Sequence, residues 1–295
     1  LRDSLQKTLG TFPLHKFWGP GTGIQSSEWI VNAQIIVDKE YDPLLSFIYI
    51  PHLDYSLQKY GPNDKKHVPK DVKQLDKLLE KLITHYETKN TKIIILSEYG
   101  IEPVNKPIYL NRVLRNKGFL KVRRECGGET LDCGSSTAFA LSDHQIAHIH
   151  INDATKINEI KEIVKSVPGV ENVFTGDELN HWYSKKGHPI DSAYNKERSG
   201  DLIAMSDKCC WFAYYFWLDD KRAPDYAKCV AIHKKPGYDP AEMLLRFPPP
   251  FGFLYLIFKA ILLIVFHIRT KVDATPIKCD SIRGSHGRIN QETDE

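Results

Sequence analysis

The sequence has no glycine-rich dinucleotide loop, no phosphate-binding P-loop, no G-x-S-x-G elbow and no H-E-x-x-H helix. Those absences argue against a nucleotide-fold dehydrogenase, an NTPase, an α/β-hydrolase and a zincin. No C-x-x-C occurs among Cys126, Cys133, Cys209, Cys210, Cys229 and Cys279. Their spacing demands no disulfide, the redox compartment stays open, and the adjacent Cys209 and Cys210 read as core thiols. There is no tight Lys/Arg block with interleaved aromatics, and net charge is only +3. Together these speak against a nucleic-acid polymer as partner. The mildly basic Asp64 to Lys73 also carries acids and reads as a solvated loop and helix start. Repeats and low-complexity tracts are missing. So is an uninterrupted apolar run long enough to span a bilayer, which needs about 20 residues. The nearest is Phe251 to Ile268, with Lys259 in its middle and His267 near its end. A central lysine costs roughly 2.5–3.5 kcal/mol on insertion scales. The stretch is therefore read as a buried or surface-associated helix, with membrane association not favoured. No signal peptide is visible behind the initial Leu1, and a soluble chain is expected.

What is present is ordinary for a globular protein: 295 residues, 42% hydrophobic and 26% charged. That is enough for one large α/β domain or two small ones. Ser26 and Ser27 open a helix after the turn at Gly19 to Gly21. Leu44 to Ile50, LLSFIYI, is apolar almost throughout and ends at Pro51, so it predicts a buried parallel strand. Asp71 to His85 places Val72, Leu75, Leu78, Leu79 and Leu82 on one helical face. Thr91 to Leu96, TKIIIL, predicts a second buried strand. Strand, amphipathic helix and strand make a βαβ unit, so the expected fold is α/β, a mostly parallel central sheet flanked by helices. Further along, helices are expected over 111–117 and 156–166. Strands are expected over 136–140, 147–151, 202–205 and 211–218. The expected division is a domain over residues 1–247. A C-terminal helix and tail over 248–295, introduced by Pro248 to Pro250, pack on that same domain.

Four segments carry residues suited to chemistry. His52 and Asp54 follow the first apolar run, and on extended chain residues two apart point to one side. They face a shared metal or phosphate, or, more commonly for such a pair, local hydrogen-bond partners. Glu98 in SEYG lies at the end of the second run, where a carboxylate must be solvated, paired or coordinated. Asp54 and Glu98 at neighbouring strand ends make either a cradle for a divalent cation or two loop acids in water. Asp143 and His144, in SDHQIAHIHI, serve as ligands or in structural roles. His286 is flanked by glycine and serine in RGSHG, with no apolar period around it, and reads as a site histidine. Past the aromatic run, Asp219, Asp220, Arg222, His233, Lys234 and Lys235 either meet an anionic substrate or bridge locally.

These segments, in this order, resemble the type I phosphodiesterase/nucleotide pyrophosphatase branch of the alkaline phosphatase superfamily. PHLDYSLQKYGP resembles its D-x-x-x-H-x-x-GP block, LSEYG its S-D-H-G strand end, and RGSHG its late H-G block. Longer blocks (FWGP, LRNKGFL, ERSGDLI, YYFWLDD, KPGYDP) resemble a less studied subgroup of pyrophosphatase-like proteins. The resemblance implies an alkaline-phosphatase-like sheet and two divalent metal ions, usually zinc. It also implies metal-dependent hydrolysis of phosphodiester or pyrophosphate bonds in a small phosphorylated or nucleotide-like substrate. Carried over residue by residue, Asp54, Glu98 and His286 stand as metal ligands, with His52 as a replacement. Gln58 and Tyr99 stand where the branch has histidines, and join His233 and Lys234 on the substrate side. Glutamine and tyrosine ligate transition metals less well than imidazole. The nucleophile is expected upstream of this chain. The alternative function is a non-catalytic binding or scaffold protein on a degenerate phosphodiesterase fold.

Overall fold

The computed structural model describes residues 1–89, 91–185, 194–195 and 197–288. Its N-terminal third is helical. Helices α1 (Arg2–Leu9) and α2 (Leu14–Phe17) lead into α3 (Ile24–Tyr41), then α4 (His52–Tyr60) and α5 (Val68–Glu87). The expected helices at 26–38 and 71–85 are present and longer than their patterns. Val31, Leu82 and Tyr86 form a small core between α3 and α5, with Ile35, Ile48, Ile50 and Leu78 packed on it. Asp38 of α3 ties the pair together, accepting from His85 at 2.7 Å and Lys89 at 2.9 Å.

The expected mostly parallel central sheet is not what forms. β4 (Ala138–Asp143), β5 (Ile146–Ile151), β6 (Val170–Phe174) and β7 (Leu202–Ser206) make a four-stranded sheet in the order β4-β5-β7-β6, antiparallel at each pairing. β2 (Lys121–Glu125) and β3 (Gly128–Asp132) form a separate antiparallel hairpin. Among the described strands only β1 (Glu102–Ile108) and β8 (Cys209–Phe212) pair in parallel, and the two-residue β9 (Gly284–Ser285) adds to β1 antiparallel. The sheets are thus mixed and mostly antiparallel.

The two apolar runs that carried the parallel expectation, 44–50 and 91–96, form no strand and stay unpaired. No backbone–backbone hydrogen bond joins 44–50 or 92–97 to another described residue. Phe47 is 90% exposed and Leu96 78%. Their hydrophobicity is real, but a strand exists only through a partner's donors and acceptors.

The main core lies in the C-terminal two-thirds. α6 (Leu110–Asn116), α7 (Ile157–Lys165) and α8 (Gly176–Ser184) accompany the sheets. The expected strand at 211–218 stops at Phe212, and 213–217 continues as buried irregular chain. Buried carbonyls without a ladder need donors. α6 supplies them: Asn111 Nδ2 donates to the Tyr214 carbonyl at 3.1 Å, Arg112 Nε to that of Trp217 at 2.8 Å and Arg115 Nη1 to that of Phe216 at 3.2 Å. Cys209 and Cys210 divide as strand neighbours do, one exposed and one buried.

Candidate functional site

The site begins at α4. HLDYSLQKY was read as extended chain, yet it is helical directly after Pro51. Residues two apart on a helix diverge by about 200°, so His52 and Asp54 do not share a face. His52 is buried against Asp71, its Nε2 3.6 Å from the carboxylate, too long for a hydrogen bond. Burial lowers its pKa despite that neighbour.

Asp54 faces the other way, into a cleft. Gln58, one turn along, donates from Nε2 to Oδ2 at 2.8 Å, and the Tyr99 hydroxyl donates to Oδ1 at 3.3 Å. Both carboxylate oxygens are therefore engaged, by the two residues that stand where the resemblance implies histidines. Burial raises the Asp54 pKa, and the two hydrogen bonds oppose the rise. The raised value means that the folded chain takes up this proton before the unfolded chain does. Stability from this group therefore grows as pH falls through the window above the unfolded value of about 3.9. Tyr99→Phe removes one donor to the charged form and shifts that window upward. We expect it to cost about 1 kcal/mol at neutral pH, with the difference from the parent shrinking in acid. Urea midpoints at two pH values check both.

The 283–287 loop brings in His286. β9 joins β1 and also closes on α4: the Arg283 amide donates to the Gln58 carbonyl at 2.9 Å, and the Gln145 amide to the His286 carbonyl at 2.8 Å. The His286 ring stacks on Tyr99 (centroids 3.8 Å, 12°) and meets His144 at 3.8 Å. His144 in turn lies 4.3 Å from the Tyr238 ring, which lies 5.0 Å from Trp18. Tyr99, His286, His144, Tyr238 and Trp18 thus make one continuous ladder of rings. Burial lowers the His286 pKa to about 4 and that of His144 as well, so both imidazoles are neutral at neutral pH. His144 occupies the β4–β5 turn at φ +58°, a conformation few non-glycine residues adopt. Strain of this kind concentrates at functional positions.

The cleft encloses about 270 Å³. Phe17, Tyr49, Tyr55 and Ile232 extend its apolar wall, and Asp54 and Asp143 are its acids. Among the described residues no lysine or arginine lines it. Burial raises the Asp143 pKa too.

The expected ligands do not all converge. Asp54, Gln58, Tyr99 and His286 come together. Glu98 is exposed outside the cleft, because the adjacent Tyr99 takes the inward position. His233 and Lys234 sit exposed on a short 3-10 turn. Asp220 accepts from Trp217, and Arg222 lies 3.7 Å from Glu129. Among the described residues, no group of three or more His, Cys, Asp or Glu side chains can hold a metal ion. The two-metal expectation, zinc in particular, is therefore corrected, and metal-dependent hydrolysis with it. Each Asp54 oxygen already accepts from one side-chain donor. Trp18 and Tyr238 were missed as site residues. Their only signal was an aromatic ring beside a turn, in FWGP and in KPGYDP.

Residues 2–239 match the sequence profile of a family described as type I phosphodiesterase / nucleotide pyrophosphatase. Among curated proteins, none matches the chain. Among solved structures, it is similar to a phosphonoacetate hydrolase from Sinorhizobium meliloti 1021 in complex with phosphonoformate. That match has 16% identity and a TM-score of 0.44, and covers 68% of this chain and 45% of that one. Murine ectonucleotide pyrophosphatase / phosphodiesterase 5 is similar at 20% identity and a TM-score of 0.41, covering 65% and 46%. The human protein of that name stands at 18% and 0.43, with the same coverage. The chain spans about half the length of these solved structures.

Proposed function

Because the chain belongs to the type I phosphodiesterase / nucleotide pyrophosphatase family, we propose that it binds a small nucleotide-like ligand in the ring-lined cleft and does not hydrolyse it. The observation that carries this reading is the engagement of both Asp54 oxygens by Gln58 and Tyr99. A carboxylate held by two side-chain donors is set for hydrogen bonding. Its neighbour His286 is committed to stacking on both faces.

The cleft's chemistry favours the planar end of such a ligand. Its volume of about 270 Å³ falls at the lower edge of the roughly 300–1,000 Å³ typical of small-molecule sites. One base and sugar fit; a polymer does not. Stacking a base on aromatic rings contributes roughly 1–3 kcal/mol. The Asp54 and Asp143 carboxyls accept hydrogen bonds from exocyclic or ribose donors. With no cation among the described lining residues, a phosphate gains nothing by entering and is left toward solvent.

Calorimetric titration with adenosine and with adenosine monophosphate tests this. Both are expected to bind, the monophosphate no tighter than the nucleoside, with affinity flat across neutral pH because His286 stays uncharged there. Neither p-nitrophenyl phosphodiester nor monoester is expected to turn over, with or without added zinc. Turnover abolished by a chelator would overturn the proposal, as would a monophosphate that binds about tenfold tighter than adenosine.

A further inference from the structure

α9 (Phe251–Ile264) is the most apolar helix of the chain, and it is not packed into the core. Exposed apolar residues, among them Phe253, Leu254, Ile257, Phe258, Ile261 and Ile264, cover about two-thirds of its circumference at roughly 100° per residue. Val265, Phe266 and Ile268 continue the exposed surface. The narrow remaining side faces the body. Gly252 lies there, buried, and a Cβ on it would stand 2.5 Å from the Phe247 carbonyl oxygen. Lys259 is on that side as well, 5.4 Å from the Tyr255 ring and bordering a polar hollow with Asp225, Lys228, Lys271 and Asp273. The lysine that interrupts the apolar run therefore points away from its bare face.

The helix belongs to an excursion with a closed base. The Arg246 amide donates to the Ala274 carbonyl at 2.7 Å, and the Thr275 amide to that of Lys228 at 3.0 Å. Chain thus leaves the body at 246 and returns at 274. Between Glu242 and Asp273 there is no acidic residue, while Arg246, Lys259, Arg269 and Lys271 are all basic. Arg246 stands on the outgoing limb, and Arg269 and Lys271 on the return, all exposed; Lys271 pairs with Asp225. The excursion is apolar at its tip and basic at its stem.

We infer that this excursion docks the protein on the surface of an anionic lipid bilayer, with α9 lying among the acyl chains of one leaflet and the basic stem at the headgroups. A protein groove covers one stripe of a helix, whereas α9 is bare over most of its circumference, which only a surrounding apolar medium covers. Its 14 residues rise about 21 Å at 1.5 Å each, short of the roughly 30 Å hydrocarbon core. Among the described residues no helix is long and apolar enough to cross a membrane. An interfacial position in one leaflet needs no such length. The all-basic flanks supply the charge complement, each exposed cation adding about fivefold to partitioning on an anionic surface.

Flotation of the full chain with phosphatidylcholine vesicles, with and without phosphatidylserine, provides the test. Binding is expected to be strong on the phosphatidylserine vesicles, weaker on the neutral ones, and reduced by salt. Phe258→Glu with Ile261→Glu is expected to lower binding by about tenfold or more. Arg246→Glu with Arg269→Glu should abolish the preference for phosphatidylserine. Both pairs are exposed, so thermal midpoint and adenosine titration should match the parent and report an intact fold. The inference is overturned if the parent chain stays unbound with phosphatidylserine vesicles, or if the Phe258/Ile261 variant binds like the parent. A lipid-free dimer that the same variant dissociates would also overturn it, identifying a second copy as the cover for α9.

Discussion

Lys235→Met is expected to destabilise the protein by about 3–5 kcal/mol at neutral pH, the cost of leaving buried charge without its partner. Lys235 Nζ lies 2.7 Å from Asp239 Oδ2 and 2.8 Å from Glu242 Oε1, and all three side chains are almost wholly inaccessible. Methionine fills the space of the lysine stem but leaves two carboxylates facing each other. Burial already raises the Asp239 pKa against the pull of the lysine, and in the variant the Ala241 amide remains to oppose it. A carboxyl raised in the folded state is protonated there before it is in the unfolded chain. The variant therefore recovers stability as pH falls from neutral toward the unfolded value of about 3.9. Urea denaturation at about pH 7 and pH 5 should show the gap to the parent narrowing in acid. A loss under about 1 kcal/mol, or a gap independent of pH, would mean the cluster is not held as described.

The cleft should fail along with the fold in this variant. Glu242 also accepts from Trp18 Nε1 at 2.6 Å and from the Ala231 amide at 2.8 Å. Asp239 adjoins Tyr238. The ion cluster thus fixes two of the five rings from behind, and adenosine affinity should fall even at temperatures where the variant remains folded.

Gly284→Ala should have an effect of similar size by a steric route. A Cβ at this position would stand 2.1 Å from the Leu57 carbonyl oxygen and 2.8 Å from Ile101 Cγ2. The first neighbour is helix backbone and cannot rotate aside. Overpacking commonly costs about 1–3 kcal/mol, and a clash this deep with backbone belongs at or beyond the upper end. Because β9 links α4, β1 and the β4–β5 turn, relief of the clash must separate α4 from His286. We expect a thermal midpoint lower by several degrees, as about 3 kcal/mol implies for a chain of this size, and adenosine binding lost. Gly118→Ala is the comparison: its φ is positive, at +84°, but a Cβ there meets nothing within 4 Å. It should cost about 1 kcal/mol from backbone strain alone and leave binding intact.

Periodicity made much of this molecule legible. The apolar stripe of DVKQLDKLLEKLITH gives α5, the alternation of IAHIHI gives β5, and KINEIKEIVK closed by Pro168-Gly169 gives α7. These signals are local: each residue's environment follows from its neighbours within one or two turns. LLSFIYI and TKIIIL failed because an unbroken apolar run reports only a preference for burial. Whether such a run pairs depends on residues far away, and β-propensity carries little information apart from its partners. The same limit produced the wrong sheet. Direction of pairing is set by which strands meet, and those that meet here are linked by tight turns such as Asp143 to Ile146, which only antiparallel strands accommodate.

At the candidate cleft the structure gathers segments that the sequence singled out, through different atoms from those expected. SEYG turns its acid outward and its tyrosine inward, a difference of one residue that reverses the face. HLDYSLQKY was read in extended geometry, which placed His52 beside Asp54. Its helical geometry pairs Asp54 with Gln58 instead, four residues on. His286 stood out because glycine-flanked histidine is seldom packing material. The ring ladder it joins draws on five separated segments, and no single stretch of chain announces such an assembly.

The bare runs at 44–50 and 91–96 carry a consequence for the protein in bulk. Each combines six or seven residues of strong β preference with little or no charge and no proline inside, the composition that stacks into cross-strand fibrils. Apart from the Thr91 amide, which donates to the Tyr86 carbonyl, each also leaves its amides and carbonyls unclaimed by other described backbone. Two molecules that meet along these runs gain a full hydrogen-bond ladder and bury Leu45, Phe47, Ile94 and Leu96 together. Of the edge lysines, bulges and prolines that ordinarily blunt such encounters, only Lys92 stands within either run. Shelf life in concentrated solution should accordingly be governed by these few residues, with the stability of the folded core contributing little.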